Sequence, residues 1–307
     1  MRKESYLSRI LLFIRNKIVI LIPENSWIFR HLGIWGMRLN SLVKHKKRNI
    51  MSITIPVVEH CNLCCRGCTA FSPLAKEEFL DYEQYCKDMY KLAELTNHNL
   101  SEIIYTGGEP LLHPKFGEML KFAYDLFPES EISFLTNGVL IPQQKTEFWE
   151  ICSECNIKVC ISKYPIKLNN KKIDEIKERW KVEFDWVGGK DTPVKKMWKY
   201  PIDLTGKVSK WNSFMICSQV NTCMRMKNGK IYPCNTTACI EHFNKYFNKD
   251  IKLIPGKDFL ELEKVKDIQE VLEFLITPPH LCRYCHRTGV TFGYDWEVSK
   301  KDISEWT

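Results

Sequence analysis

Ile53-Thr54-Ile55-Pro56-Val57-Val58-Glu59-His60-Cys61-Asn62-Leu63-Cys64-Cys65-Arg66-Gly67-Cys68 runs from a β-branched, apolar hexapeptide straight into a loop that holds four cysteines within eight residues. The apolar run reads as a buried strand. Residues 103–106, 132–136, 158–162 and 182–187 repeat the pattern, and amphipathic segments near 81–96, 114–127, 143–155 and 169–181 read as helices between them. Repeated βα units predict an α/β fold with a parallel sheet and helices outside it, either open or a partial (β/α)6-type barrel. Active sites in such sheets gather at the carboxyl ends of the strands, and the cysteine loop stands at one of those ends.

The 307 residues, 44% hydrophobic and 27% charged, describe a globular chain and exclude disorder and fibrous repeats. The net charge of +8 is concentrated: residues 1–50 hold eleven Lys/Arg against two Glu, so the rest is close to neutral and no nucleic-acid partner is expected. The apolar run 10–22 is broken by Arg15-Asn16-Lys17 and stopped by Pro23, too short and interrupted for a secretory signal or a spanning helix. A cytoplasmic, reducing compartment is the expectation, with thiols or ligated sulfurs rather than disulfides. The same run puts Leu7, Ile10, Leu11, Ile14, Ile18 and Leu21 on one helical face beside Arg9, Arg15 and Lys17. Two readings stand: a helix packed on the main domain, or peripheral contact with an anionic membrane surface.

Fourteen cysteines are many for this length, and their spacing divides them. In the first loop, Cys61, Cys64, Cys65 and Cys68, or three of these with His60, suit a structural zinc ion. Alternatively Cys61, Cys65 and Cys68 form a C-x3-C-x2-C set that holds a [4Fe-4S] cube by three irons and leaves the fourth open. Cys86, Cys152, Cys155 and Cys160 lie in expected elements and read as small buried hydrophobes.

The C-x3-C-x2-C loop, opening on Cys61-Asn62-Leu63, resembles that of the radical S-adenosylmethionine (SAM) enzymes. A second likeness is Thr106-Gly107-Gly108-Glu109-Pro110, which ends the second strand like the family's Gly-Gly-Glu motif. The resemblance covers about residues 51–190. It implies that Cys61, Cys65 and Cys68 carry the SAM-binding cluster, that Gly107 and Gly108 let backbone approach the ligand, and that Glu109 pairs with the SAM ammonium group. It also implies SAM contacts from Thr136, Asn137 and Ser162, for which a type I′ Asn-Gly turn and a loop serine are the plainer readings. The family often has an aromatic residue before the third cysteine to touch adenine; Gly67 stands there, so Phe71 is the expected substitute. Cys64 is an additional thiol, expected to point away from the cluster.

In the last third, residues 224–232 predict a hairpin turning at Asn228-Gly229. Cys217 and Cys234 with the later Cys282-x2-Cys285 supply four thiolates, suited to a zinc ribbon or a cluster. Beside a radical SAM core this spacing resembles the Twitch or SPASM auxiliary-cluster module, with one auxiliary [4Fe-4S] cluster on Cys217, Cys234, Cys282 and Cys285. Cys223 is an alternative to Cys217. The expected domains are therefore a basic, apolar helical extension (1–50), a radical SAM core (51–205) and an auxiliary iron–sulfur domain (206–307).

The resemblance implies reductive cleavage of SAM to a 5′-deoxyadenosyl radical that abstracts hydrogen from a substrate C–H bond, fed by a flavodoxin- or ferredoxin-type donor. The expected outcome is oxidation or epimerisation of a polyol or sugar-type substrate, with the auxiliary cluster relaying an electron. Cys239 or Cys223 is the candidate hydrogen donor for an epimerase. Support for a glycan comes from Cys282-Arg283-Tyr284-Cys285 and the late Ser299 and Glu305-Trp306, which resemble radical SAM proteins associated with polysaccharide synthesis. The alternatives are modification of a ribosomal peptide and a zinc-stabilised, non-enzymatic binding protein.

Overall fold

The computed structural model describes residues 52–187, 194, 196–217, 219–220, 224–286 and 289–307. The expected helical extension over 1–50 and Cys223 lie outside the described residues. No described helix is long and apolar enough to cross a membrane.

Five strands alternate with four helices: β1 (Ser52–Val58), α1 (Tyr82–Thr96), β2 (Glu102–Gly107), α2 (Phe116–Leu126), β3 (Glu131–Thr136), α3 (Thr146–Glu154), β4 (Lys158–Ile161), α4 (Asn170–Trp180) and β5 (Glu183–Trp186). All neighbouring pairs from β1 to β5 are parallel. Six of the seven β1 residues are buried, as expected of a strand covered on both faces. Helix starts follow local chemistry. The Asp81 and Asn169 side chains accept from the third backbone N–H beyond them and cap α1 and α4, while α1 ends on Asn97 in the left-handed conformation.

After β5 the repeat stops. The next strand, β6 (Met197–Lys199), pairs antiparallel with β10 (Thr291–Tyr294) in a separate two-stranded sheet. The sixth parallel position is taken from the other edge, where β7 (Arg225–Lys227) pairs with β1 through Thr54 and Arg225. The sheet is open, in the order β5-β4-β3-β2-β1-β7-β8-β9, with β8 (Lys230–Tyr232) and β9 (Leu260–Glu261) antiparallel. The expected α/β fold, with a parallel sheet that does not close into a full barrel, is what the chain builds: five strands come from βα units, and a hairpin supplies the sixth parallel position.

That hairpin turns at Asn228 (φ 48°) and Gly229 (φ 71°), both left-handed as a type I′ turn requires. Asp88 on α1 accepts from Gly229 N at 2.8 Å and docks the turn. In the segment after residue 206, β7 to β9 therefore extend the main sheet, while β10 pairs in the separate one. The segment also contributes α5 (Lys210–Ile216), α6 (Asn235–Phe247) and α7 (Ile268–Leu275).

One large core lies between the sheet and helices α1 to α4, around Ile53, Ile55, Tyr105, Phe134 and Trp149. A smaller one joins Phe71, Phe243, Leu281 and Trp306. It ties the segment after the cysteine loop to α6 and to the last residues described.

Candidate active site

The second strand is pressed against the end of the first. Gly108 N donates to Val58 O at 2.7 Å and Glu109 N to His60 O at 3.2 Å. A Cβ on Gly107 would stand 2.2 Å from Val58 O, and one on Gly108 1.7 Å from His60 O. The Gly-Gly pair therefore lets the β2 end approach the cysteine loop's own backbone. The loop presents Cys61, Cys65 and Cys68 to one cavity, with Gly107, Gly108, Thr136, Asn137 and Ser162 in its walls. Burial pushes the Cys61 thiol up to about 12, so ionisation there depends on a cationic partner such as a metal. Cys64 does not line the cavity; its sulfur faces Ser299 O at 3.9 Å.

Glu109 sits behind the cavity wall. It is fully buried and absent from the cavity wall. Its Oε1 accepts from the Thr136 hydroxyl at 2.7 Å and Leu111 N at 3.2 Å, and its Oε2 from Asn137 N at 2.9 Å. Burial raises its pKa to about 7 against these donors. Glu109 thus braces Thr136 and Asn137 at the end of β3. Asn137 in turn donates to Asn62 Oδ1 at 2.7 Å, linking the β3 end to the cysteine loop. Only Gly138 of the Asn137-Gly138 pair has positive φ, 83°, which rules out a type I′ turn there.

A strap from the C-terminal segment covers the loop. Arg66 N donates to Glu297 O at 2.9 Å, Ser299 N to Cys64 O at 2.8 Å, and Cys65 bridges Val298 antiparallel. Trp296 Nε1 donates to Cys65 Sγ at 3.1 Å, and the Tyr294 hydroxyl to Arg66 O at 3.0 Å. A Cβ on Gly67 (φ 63°) would meet that hydroxyl at 2.6 Å, so the residue before Cys68 is glycine because the strap occupies its side-chain space. Phe71 is no substitute for the missing aromatic: it is 2% exposed, packed on Phe243 and Trp306, and does not line the cavity. Tyr164 does line it, with Trp296 edge-on at 6.4 Å. Sequence reasoning missed Tyr164, Trp296, Asn235 and Arg225. The aromatic spacing of Tyr294 and Trp296 was the only trace, since nothing local links them to a loop more than 200 positions earlier.

Behind the loop, Glu59 accepts from Lys227 Nζ at 2.9 Å and contacts His242 Nε2 at 2.5 Å, all three groups being buried. Burial alone would raise the Glu59 carboxyl, but His242 and Lys227 outweigh it and hold the carboxyl below its ordinary value. Cys239, expected as a hydrogen donor, is 2% exposed and does not line the cavity. Its thiol donates to Asn235 Oδ1 at 3.4 Å, and burial pushes it up to about 12. Its partner Asn235, rather than Cys239 itself, lines the cavity.

For the expected second centre, Cys282 and Cys285 lie in the turn His280–Tyr284 and just after it, packed against α5, which Cys217 follows directly. Ser213 of α5 donates to Cys285 O at 2.7 Å. Cys234 precedes α6, with its sulfur 3.5 Å from Thr237 Oγ1. Among the described residues no three His, Cys, Asp or Glu groups gather as closely as a single metal ion needs.

Comparison with known proteins bears on the loop and the first strands. GTP 3′,8-cyclase of Sulfurovum sp. (strain NBC37-1) is 31% identical over 105 residues, 33% of this chain and 31% of that one. The sporulation killing factor maturation protein SkfB of Bacillus subtilis (strain 168) is 30% identical over 111 residues, 36% of this chain and 26% of that one. The chain thus spans about a third or less of the length of these relatives. Among solved structures, BtrN in complex with AdoMet and 2-DOIA superposes with a TM-score of 0.48 at 15% identity, over 78% of this chain and 94% of that one. Native anSMEcpe with bound AdoMet gives 0.48 at 13% identity, over 82% and 92%. The sequence model of the radical SAM superfamily matches residues 55–162, from within β1 to Ser162 just past the end of β4. Over these residues, about a third of the chain, the sequence is similar to the radical SAM superfamily.

Proposed function

We propose that this chain is a radical SAM enzyme that oxidises a polyol or sugar-type substrate, with a second, auxiliary cluster as electron relay. The observation that carries the reading is the cavity in which Cys61, Cys65 and Cys68 meet Gly107, Thr136, Asn137 and Ser162. This donor set fits the group: three sulfurs from one tight loop would hold three irons of a [4Fe-4S] cube and leave one without a protein ligand, in a cavity that also holds hydroxyl and amide groups. When bound, the cluster and SAM would supply a carbon-centred radical able to take hydrogen from an unactivated C–H bond.

The chain's residues hold and shield. Cys61, Cys65 and Cys68 would ligate the first cluster. Thr136 and Asn137, fixed by Glu109, and Ser162 would orient SAM. Tyr164 and the strap residue Trp296 keep water from the sulfur side. Cys217, Cys234, Cys282 and Cys285 are the proposed ligands of the second cluster. Oxidation is favoured over epimerisation because Cys239, a candidate hydrogen donor, is walled off behind Asn235. A second reading, modification of a ribosomal peptide, draws on the match to SkfB, a maturation protein.

Anaerobic reconstitution with iron and sulfide tests the proposal. Two [4Fe-4S] clusters and reductive formation of 5′-deoxyadenosine from SAM are expected. A colourless protein holding zinc, or an iron-loaded protein that leaves SAM intact, sinks the reading. Cys61→Ala, Cys65→Ala and Cys68→Ala should each abolish SAM cleavage. Cys282→Ala and Cys285→Ala should retain the first cluster and lose the second.

A further inference from the structure

Arg225 opens β7, on the far side of β1 from the strands that carry Gly107, Thr136 and Ser162. Its side chain lines the cavity and is 8% exposed. Nη1 donates to Thr106 Oγ1 at 2.7 Å, while Nε is buried with no hydrogen-bond partner. Among the described residues no carboxylate pairs with this guanidinium. Glu59, behind the loop, spends both oxygens on Lys227 and His242.

A second buried polar atom at the same cavity is also unmet. Ser72 is 5% exposed, lines the cavity, and its Oγ has no partner. Asn235, the first residue of the 13-residue helix α6, lines the wall as well, which brings the positive end of that helix to the cavity. A buried guanidinium without a counter-charge, and a buried hydroxyl without a partner, each cost free energy that a bound group can recover. The Nε edge of arginine is also the edge that grips planar or tetrahedral oxyanions in bidentate fashion.

We propose that Arg225, with Ser72 and the N-terminal end of α6, forms a subsite for an anionic group, phosphate or carboxylate, carried by the substrate. The proposal rests on the reading that substrate enters this cavity beside SAM. It deepens that reading by requiring an acidic or phosphorylated substrate rather than a neutral one.

The test uses the reconstituted holoprotein with saturating SAM and follows its thermal midpoint against inorganic phosphate in one arm and acetate in the other, at ionic strength matched with chloride. One of the two anions should raise the midpoint at millimolar concentration and so identify the group. Arg225→Gln should weaken that apparent affinity tenfold or more. Arg225→Lys, which keeps the charge but loses the bidentate edge, should weaken it less, and it carries the test if the Gln variant fails to fold. No effect beyond chloride, or equal affinity in wild type and the Lys variant, overturns the proposal. So does an anion effect that SAM abolishes, since the guanidinium would then hold the SAM carboxylate. Loss of iron from Arg225→Gln also overturns it, assigning the charge to the cluster instead. Absence of 5′-deoxyadenosine would defeat the enzymatic reading alone and leave the anion result standing.

Discussion

Trp306 donates its indole N–H to the carbonyl oxygen of Cys68 at 2.9 Å, across 238 positions of sequence. Its ring packs on Phe71 and Phe247. Trp306→Phe should cost about 1 kcal/mol for the lost hydrogen bond, and Trp306→Ala about 3–5 kcal/mol for the buried ring. Denaturant unfolding reads both values. The Ala variant should also release iron to a chelator faster than wild type, and equal rates would mean that the contact does not shield the loop.

Trp296 bears on the sulfur itself, because its N–H meets Cys65 Sγ. Hydrogen bonds to ligand sulfurs stabilise the reduced, more negative state of a cluster. Trp296→Phe should therefore shift the midpoint potential of the first cluster downward, read by an EPR-monitored redox titration. An unchanged potential would show that the bond is absent in the holoprotein.

Gly108→Ala places a methyl 1.7 Å from His60 O, where backbone rather than a flexible side chain must yield. We expect destabilisation above about 3 kcal/mol and poor iron loading at the first site. Gly117→Ala in α2 is the control. Its methyl meets the tip of Ile151 at 3.2 Å and the Phe148 ring at 3.4 Å, both side chains rather than backbone, and the change should stay within about 1 kcal/mol of wild type.

Glu109 predicts a pH dependence. Folding raises its pKa from 4.5 to about 7, so unfolding releases a proton in that interval. Stability should fall as pH rises from about 4.5 to about 7 and then level off. Glu109→Gln cannot ionise and should lose that slope, measured as the denaturant midpoint against pH. Identical slopes would show that the carboxyl titrates normally.

The βα alternation was legible because buried parallel strands and amphipathic helices leave different periodicities. Cys61, Cys65, Cys68, Thr136 and Ser162 were legible because strand ends converge on one side of such a sheet. The bonds that Glu109 makes were not legible for a physical reason: a carboxylate beside two glycines suits a ligand ammonium or a set of protein donors equally well, and only the fold shows the Thr136, Leu111 and Asn137 donors around it. The termination of the βα series after β5 has a similar cause. A three-residue strand such as Met197–Lys199 carries no period, and its partner Thr291–Tyr294 comes some 90 positions later. Arg225 and Ser72 are ordinary in sequence, and their want of partners exists only in three dimensions.

The strap over the cysteine loop also sets an order of events during synthesis. Trp306 leaves the ribosome 238 residues after Cys68, so the sulfur-bearing loop emerges, and the sheet beneath it assembles, while its cover is still missing. Throughout that interval the sulfurs stay open to whatever delivers iron, and to oxygen. Once the strap pairs with the loop, later repair of a damaged centre requires local opening of the chain.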